Sequence, residues 1–298
     1  MKQFVPLLKT CMLVVTVFTL SVTAFAQGEF AFTSSAHESG GSLTNGAVYR
    51  FSNVGPGLDA LVTIRDRSSN QVRISNLDII STGFNRAFQP QISFNNGSVS
   101  GSQNWWVEFQ VDFVSSRTTL PAIVSEFFTT ALDIDGDGNR LREWAAFYAP
   151  AVYTVETNTL LQVSPFNVGG DNVGHHFLGS QTTFEGIDTA ATRVMASVLY
   201  KNTSRVTFRL GGVTTGSTNN GERLYSVWFR NFRYSMPSSL PVKLVNFSGT
   251  MHNNQASLQW QVEMNQDADY YEVQRSTNGR DFNRAAVVLP TDAQGTEN

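Results

Sequence analysis

Alternation is the dominant pattern along this chain. Residues 105–113 read Trp-Trp-Val-Glu-Phe-Gln-Val-Asp-Phe: every odd position is apolar, and after Trp106 every even one is Glu, Gln or Asp. A period of two lays one face of an extended strand on a core and the other in water. Val194, Ala196, Val198 and Tyr200 repeat the alternation, as do Val206, Phe208 and Leu210. From Arg223 to Tyr234 the apolar residues fall on both faces, with Leu224, Trp228 and Phe232 set against Tyr225, Val227 and Phe229. A strand covered on both sides within a sandwich sheet has that composition. Leu61–Ile64 and Ala122–Asp133 add β-branched runs bounded by Gly, Asn and Ser clusters. No window carries a helical apolar stripe of useful length. The pattern predicts an all-β protein: a large, jelly-roll-like β-sandwich over residues 27–236.

Met236-Pro237-Ser238-Ser239-Leu240-Pro241 sets two prolines around two serines between strand-like runs, which predicts a linker at 237–241. Beyond it Val242–Phe247, Ala256–Val262, Tyr270–Ser276 and Phe282–Leu289 form four short strands at near-regular spacing, the signature of an immunoglobulin-like sandwich. A complete module of that kind needs about 90–100 residues and seven strands. Residues 242–298 are therefore expected to be an incomplete one, the start of a unit in a longer protein.

Composition changes the picture in two ways. The chain has 298 residues, 41% hydrophobic and only 15% charged, with a net charge of −3. That suits a packed core, excludes disorder and coiled coil, and gives no basic surface for nucleic acid. Lys2 and Lys9, then the apolar Met12–Leu20, then Ala24-Phe25-Ala26 make a secretory signal peptide of residues 1–26, with cleavage expected after Ala26. The uncharged run from Thr10 to Ala26 is at or below the roughly 17–25 residues of a membrane span, so no span is expected. Removal of this segment takes away two lysines and no acids, leaving a charge of −5. It also removes Cys11, the one cysteine, and follows no lipoprotein pattern. An exported chain without disulfides relies on core size or metal and cannot be a thiol enzyme.

Leu240–Phe247, Leu258-Gln259-Trp260 and Tyr270–Phe282 resemble the fibronectin type III-like modules of large bacterial surface proteins exported by the type IX route. The resemblance implies that Trp260 packs across that sandwich. Asn53–Ile64, Ala87–Pro90 and Asp133–Gly138 resemble, less specifically, the β-sandwich module that precedes such repeats. It implies architecture and surface location rather than an activity.

One segment carries recognisable chemistry. Asp133-Ile134-Asp135-Gly136-Asp137-Gly138-Asn139 places carboxylates at positions one, three and five and a glycine at six, with Glu143 following. Alternating acids on a glycine-bent loop can turn several oxygens inward, and Ca2+ needs about six to eight of them. Asp133, Asp135, Asp137, the Asn139 carbonyl and Glu143 are the expected ligands, with Ca2+ preferred to Mg2+. Position twelve is Trp144 and the flanks read as strands, so the loop is not an EF-hand. The bland alternative is an acidic hairpin turn. Three like charges in five residues would repel in such a turn, and that favours a bound cation.

Other features carry less. His175 and His176 lie near glycines and Asp171. Neighbours on a strand face opposite ways, so a solvated, Gly-rich loop is the preferred reading over a shared zinc. Glu108 and Asp112 stand about 13 Å apart along one strand, beyond glycosidase carboxylate separations. No nucleophile elbow, zinc-protease motif or phosphate loop occurs. Trp106, on the polar face of its strand, is the candidate for stacking on a sugar. Asp188-Thr189-Ala190 fits a short bacterial O-glycosylation pattern. The expected function is a secreted or cell-surface, non-enzymatic module, calcium-stabilised, for adhesion or display, with a polysaccharide or surface protein as ligand. The alternative is a carbohydrate-binding module of a larger secreted glycoside hydrolase.

Overall fold

The computed structural model describes residues 28–95, 101–215, 220–234, 237–239, 243–252, 255–263, 271–276, 282–288 and 296–297. The expected signal peptide and Cys11 lie outside them. The chain begins with β1 (Glu29–Phe30), β2 (Ser35–Ser39), β3 (Val48–Gly55), β4 (Leu58–Arg67), β5 (Val72–Asn76) and β6 (Gln91–Asn95). It continues with β7 (Gln103–Ser115), β8 (Val124–Leu132), β9 (Leu141–Tyr148), β10 (Val152–Glu156), β11 (Gln162–Val168) and β12 (Asp171–Leu178). After a single 3-10 turn at Thr192–Val194 come β13 (Ala196–Thr203), β14 (Arg205–Thr214), β15 (Asn220–Leu224), β16 (Ser226–Arg230) and β17 (Pro237–Ser239).

These strands build an all-β sandwich. One layer is an eight-stranded sheet in the order β11-β12-β9-β14-β7-β4-β3-β2. Facing it are a six-stranded sheet, β1-β16-β8-β13-β10-β17, and a three-stranded one, β15-β6-β5. The pairing nests: β7 with β14, β8 with β13, β9 with β12. An antiparallel ribbon wrapped across two layers, first strand against last, is the jelly-roll arrangement.

Aromatic side chains join the layers. Trp105, Val107, Phe109, Val111 and Phe113 of β7 are all fully buried, as their alternation predicts. Phe113 meets Phe127 of β8 edge-on at 5.1 Å and Phe229 of β16 at 6.0 Å. Phe94 of β6 stacks on Trp105 at 5.6 Å, tying the small sheet to the same layer. Each buried ring contributes roughly 1.5–3 kcal/mol by burial and about 0.5–1.5 more per ring pair. Gly211 and Gly212 of β14 leave the room this needs, since a Cβ on Gly212 would stand 2.6 Å from the Trp105 ring.

Three elements depart from the pattern. β13 is buried on both faces, and Met195, Leu132, Trp228 and Tyr234 form, with Ala87, a second apolar cluster separate from the main core. Ser197 tolerates this burial through hydrogen bonds with Thr130 and the Tyr234 hydroxyl. The run from Arg223 to Tyr234 is not one strand. The chain changes sheet at Tyr225, so that β15 pairs with β6, whereas β16 pairs with β8 and β1. Pro237–Ser239, expected within a linker, pairs with β10 at the edge of the six-stranded sheet. An edge strand accepts a proline because one side of its backbone needs no partner.

The four later strands occur where expected, as β18 (Lys243–His252), β19 (Gln255–Glu263), β20 (Tyr271–Ser276) and β21 (Phe282–Val288), with β22 (Thr296–Glu297) beside β19. Trp260 is buried, while Phe247 and Met251 on β18 are exposed.

Asp59, on β4, locks two turns. Its carboxylate accepts the amides of Asn53 and Arg117, each at 2.9 Å, and the Arg50 guanidinium at 2.9 Å. Both amide donors belong to residues with left-handed backbones, φ 55° and 64°, which this carboxylate helps to hold. Burial alone would raise its pKa, but the Arg117 and Asn53 amides and Arg50 outweigh that and hold it at about 2. A depressed carboxylate stabilises the fold above its ordinary pKa, and that stability is lost as pH falls through the folded value. Asp59→Asn should therefore cost about 3 kcal/mol at neutral pH. Urea titrations between about pH 4 and pH 2 should show wild type losing ~2 kcal/mol that the variant does not lose. Parallel losses in the two proteins would show that Asp59 is not the group responsible.

Candidate functional site

The acid-rich loop leaves β8 at Asp133, whose φ of 56° turns the chain sharply, and bends again at Gly138, φ 75°. Asp137 caps this bend: its Oδ1 accepts the amides of Asn139, Arg140 and Leu141 at 2.9, 2.6 and 2.8 Å. Residues 179–184 run alongside. Gly138 donates to the Gln181 carbonyl at 2.8 Å and Gly179 to the Glu143 carbonyl at 2.8 Å. The Phe184 amide donates to Asp135 Oδ2 at 2.6 Å. From the facing layer, β15 brings Arg223 in, with its Nε 3.2 Å from Glu143 Oε1.

The result is a cleft of about 310 Å3 whose charged lining is Asp133, Asp135, Asp137, Glu143, Glu222 and Arg223. Its electrostatics are those of crowded acids withdrawn from water. Burial pushes Glu143 well above the usual carboxylate range, and the charge of Asp135 adds to this while Arg223 opposes it. Burial and then Asp135 raise Asp133 to about 7. Burial also raises Asp135, against the Phe184 amide and Arg223. Asp137 goes the other way: burial is outweighed by the amides of Leu141, Asn139 and Arg140. Two buried polar atoms of the lining, Asp133 Oδ1 and Arg223 Nε, have no hydrogen-bond partner, and neither has the Tyr225 hydroxyl two residues along the chain from Arg223. Burial raises the Tyr225 pKa strongly, and the charge of Glu143 raises it further.

The five expected ligands thus divide. Asp133, Asp135 and Glu143 share the cleft. Asp137 also lines it, but one of its oxygens serves the turn. Asn139 is exposed, and its carbonyl lies 3.5 Å from Gln181 Nε2. Among the described residues no group of three or more His, Cys, Asp and Glu side chains stands in metal-holding geometry. The repulsion expected to demand an ion is met only in part, by backbone amides and by Arg223.

Trp106 is half-buried, and the Arg209 guanidinium lies 3.7 Å from its ring centroid, with Phe166 and Tyr148 also around that cation. The ring is therefore not an open platform on that face. Glu108 accepts from Tyr148 at 2.6 Å and from Arg209 at 2.8 Å, while Asp112 pairs with Arg205. Both acids sit directly across from their arginines on β14. His175 and His176 are on β12 rather than in a solvated loop, and they do face opposite ways. His175 packs on Tyr153 and His176 on Trp144, both at 4.8 Å. Burial lowers both pKa values, that of His176 to about 4. In the 188–190 tripeptide, Asp188 accepts the Ala190 amide at 2.8 Å and Thr189 is half-buried.

Sequence reasoning missed Arg223 and Tyr225. The available signal was a lone cation opening an otherwise apolar run, which reads equally well as a strand's solvent-facing end. No protein-family model matches the chain, and a search of curated proteins finds no significant relative. No helix among the described residues is long and apolar enough to cross a membrane.

Asp137→Ala should release three amides and cost about 2 kcal/mol, because hydrogen bonds to a charged acceptor are worth more than neutral ones. Hydrogen exchange should quicken at Asn139, Arg140 and Leu141. Unchanged exchange there would remove the capping role.

Proposed function

We propose that this chain is an exported, non-enzymatic β-sandwich module of a secreted or cell-surface protein, serving adhesion or display, and that Ca2+ in the acid cleft stabilises it. The observation that carries the calcium reading is Asp133 Oδ1, a buried carboxylate oxygen without a partner in a cleft shared with Asp135 and Glu143. A carboxylate left unsatisfied away from water is costly, and a hard cation with oxygen ligands is the partner its chemistry calls for. Asp133, Asp135 and Glu143 would supply charged ligands, with Asp137 contributing its second oxygen. Export is supported by the signal-like segment 1–26 and the cysteine-free remainder. Surface display is supported by the resemblance of residues 240–282 to fibronectin type III-like modules of type IX surface proteins. The carbohydrate-binding alternative has less behind it, because Arg209 occupies a face of Trp106.

Thermal melting tests the calcium reading. At calcium about 100 times Kd, binding adds about 2.7 kcal/mol, so midpoints with calcium and with chelator should separate by several degrees. Asp133→Asn should close that gap. Coincident wild-type curves would remove calcium from the proposal.

A further inference from the structure

The outer face of the eight-stranded sheet carries aromatic rings where a sandwich ordinarily meets water. Gly211 stands between Trp106 and Trp144 in register, and Ala146 between Arg209 and His176. These small residues make a low floor, over which Trp144 and Phe166 are buried and Trp106 and Tyr148 half-buried. Arg209 rises from β14 into this frame. Its guanidinium carbon lies 3.7 Å from the Trp106 ring centroid, 5.3 Å from that of Phe166 and 5.8 Å from that of Tyr148.

The fork of this arginine is only partly used. Glu108 meets it through Nε alone, and the same Glu108 oxygen also takes the Tyr148 hydroxyl. Among the described residues no hydrogen bond runs from either Arg209 Nη to a carboxylate or a carbonyl. Arg50 shows the contrast: its Nε and both Nη nitrogens reach Glu38, Asp59 and the Thr118 carbonyl. A guanidinium grips a planar acid best with two N–H groups side by side. Arg209, 16% exposed, is thus held in place by rings and by Glu108 with part of its donor set unspent. Charge on this face points the same way. The outward-facing charged residues of β7, β14 and β9 are Arg142, Arg205 and Arg209 against Glu108 and Asp112, one cation in excess on a chain of net charge −3. Arg142 Nε donates to the Gly179 carbonyl rather than to an acid.

From this we infer that the face around Arg209 binds an acidic polysaccharide: the unspent donors of Arg209 take a uronate carboxylate, and the half-buried rings of Trp106 and Tyr148 pack against the C–H face of the same sugar. A uronate carries a planar carboxylate and an apolar ring face on one rigid unit, which is what a guanidinium framed by aromatic rings complements. An acidic peptide brings the carboxylate on a flexible stem without the ring. A neutral sugar would have to share Trp106 with Arg209, whereas an acidic one uses Arg209 as its anchor. The inference rests on the adhesion reading, for which it names the ligand class, and is independent of the calcium reading.

Calorimetric titration with three probes tests it, with chelator present throughout: polygalacturonate, its fully methyl-esterified form, and poly-glutamate. Polygalacturonate should bind and the ester should not, and poly-glutamate should bind at least about tenfold more weakly, lacking the ring contacts. Arg209→Lys should weaken polygalacturonate about tenfold or more, because lysine keeps the charge but not the fork. Undiminished binding by that variant overturns the inference. Equal or tighter binding of the ester or of poly-glutamate overturns the ligand class, while adhesion stands. If no probe binds, the inference falls and adhesion through this face falls with it. Should the variant not fold, the Arg209 side-chain N–H signals in the NMR spectrum of wild type decide. They should shift on addition of oligogalacturonate, and unchanged signals overturn the inference.

Discussion

Negative charge drawn out of water is the constraint on which this structure turns. A carboxylate in a low-dielectric interior costs several kcal/mol unless donors or cations surround it. The chain buries or half-buries acids at several places and treats them differently. Glu108 and Asp112 each face an arginine directly across β7 and β14, the cross-strand pairing that suits an outer sheet face. Asp137 is met by three amides of its own turn. The cleft acids Asp133, Asp135 and Glu143 receive two amides, of Phe184 and Asp135, and one guanidinium between them.

The jelly-roll wrapping is what assembles that cleft. Because β9 pairs with β12 and β14, the loop before β9 and the segment after β12 emerge at the same end of the eight-stranded sheet. Residues 179–184 therefore lie against 135–138, with carbonyls and amides interlocked. Pairing of β15 with β6 places a strand of the facing layer over the same end, where Gly221 comes close to Leu141. Arg223 follows from that placement. No local signal around Asp133 could announce it, since the contact depends on three separate strand pairings.

Legibility divides along the same line. Properties set by local alternation could be read directly: the buried odd positions of β7, the strand at Val206–Leu210, the bend at Gly138 and the opposed histidines. Properties set by the second layer could not. β13 looked half-exposed because Leu132, Met195, Trp228 and Tyr234 are scattered in sequence and meet only in the fold. The run around Tyr225 looked like one strand because a change of sheet leaves the apolar content of both halves intact. Trp106 looked available because its polar neighbours on β7 were visible, whereas Arg209, on β14, was not. Of the cleft, the acids were legible as a group, but the division of labour among them was not. Whether a carboxylate caps a turn or faces a cavity depends on which amides lie within about 3 Å, and sequence spacing does not encode that.

Asp59 provides the internal standard for judging the cleft. It is only 2% exposed, yet its pKa sits near 2, because two amides and an arginine converge on it. Burial raises a carboxylate wherever it occurs in this fold, but converging donors can outweigh it. Burial and then the charge of Asp135 raise Asp133 to about 7, with one oxygen lacking a hydrogen-bond partner, and raise Glu143 well above the usual range despite Arg223 and the Asp135 amide. The difference lies in the like charge of neighbouring acids and in a thinner supply of donors. A site that served only to hold the loop could be satisfied as Asp59 is, by turning nearby amides inward, and Asp137 does this within the same bend. Asp133 Oδ1, left without a partner beside Asp135, Glu143 and Arg223, is the one buried oxygen of the cleft that the chain's own donors do not reach.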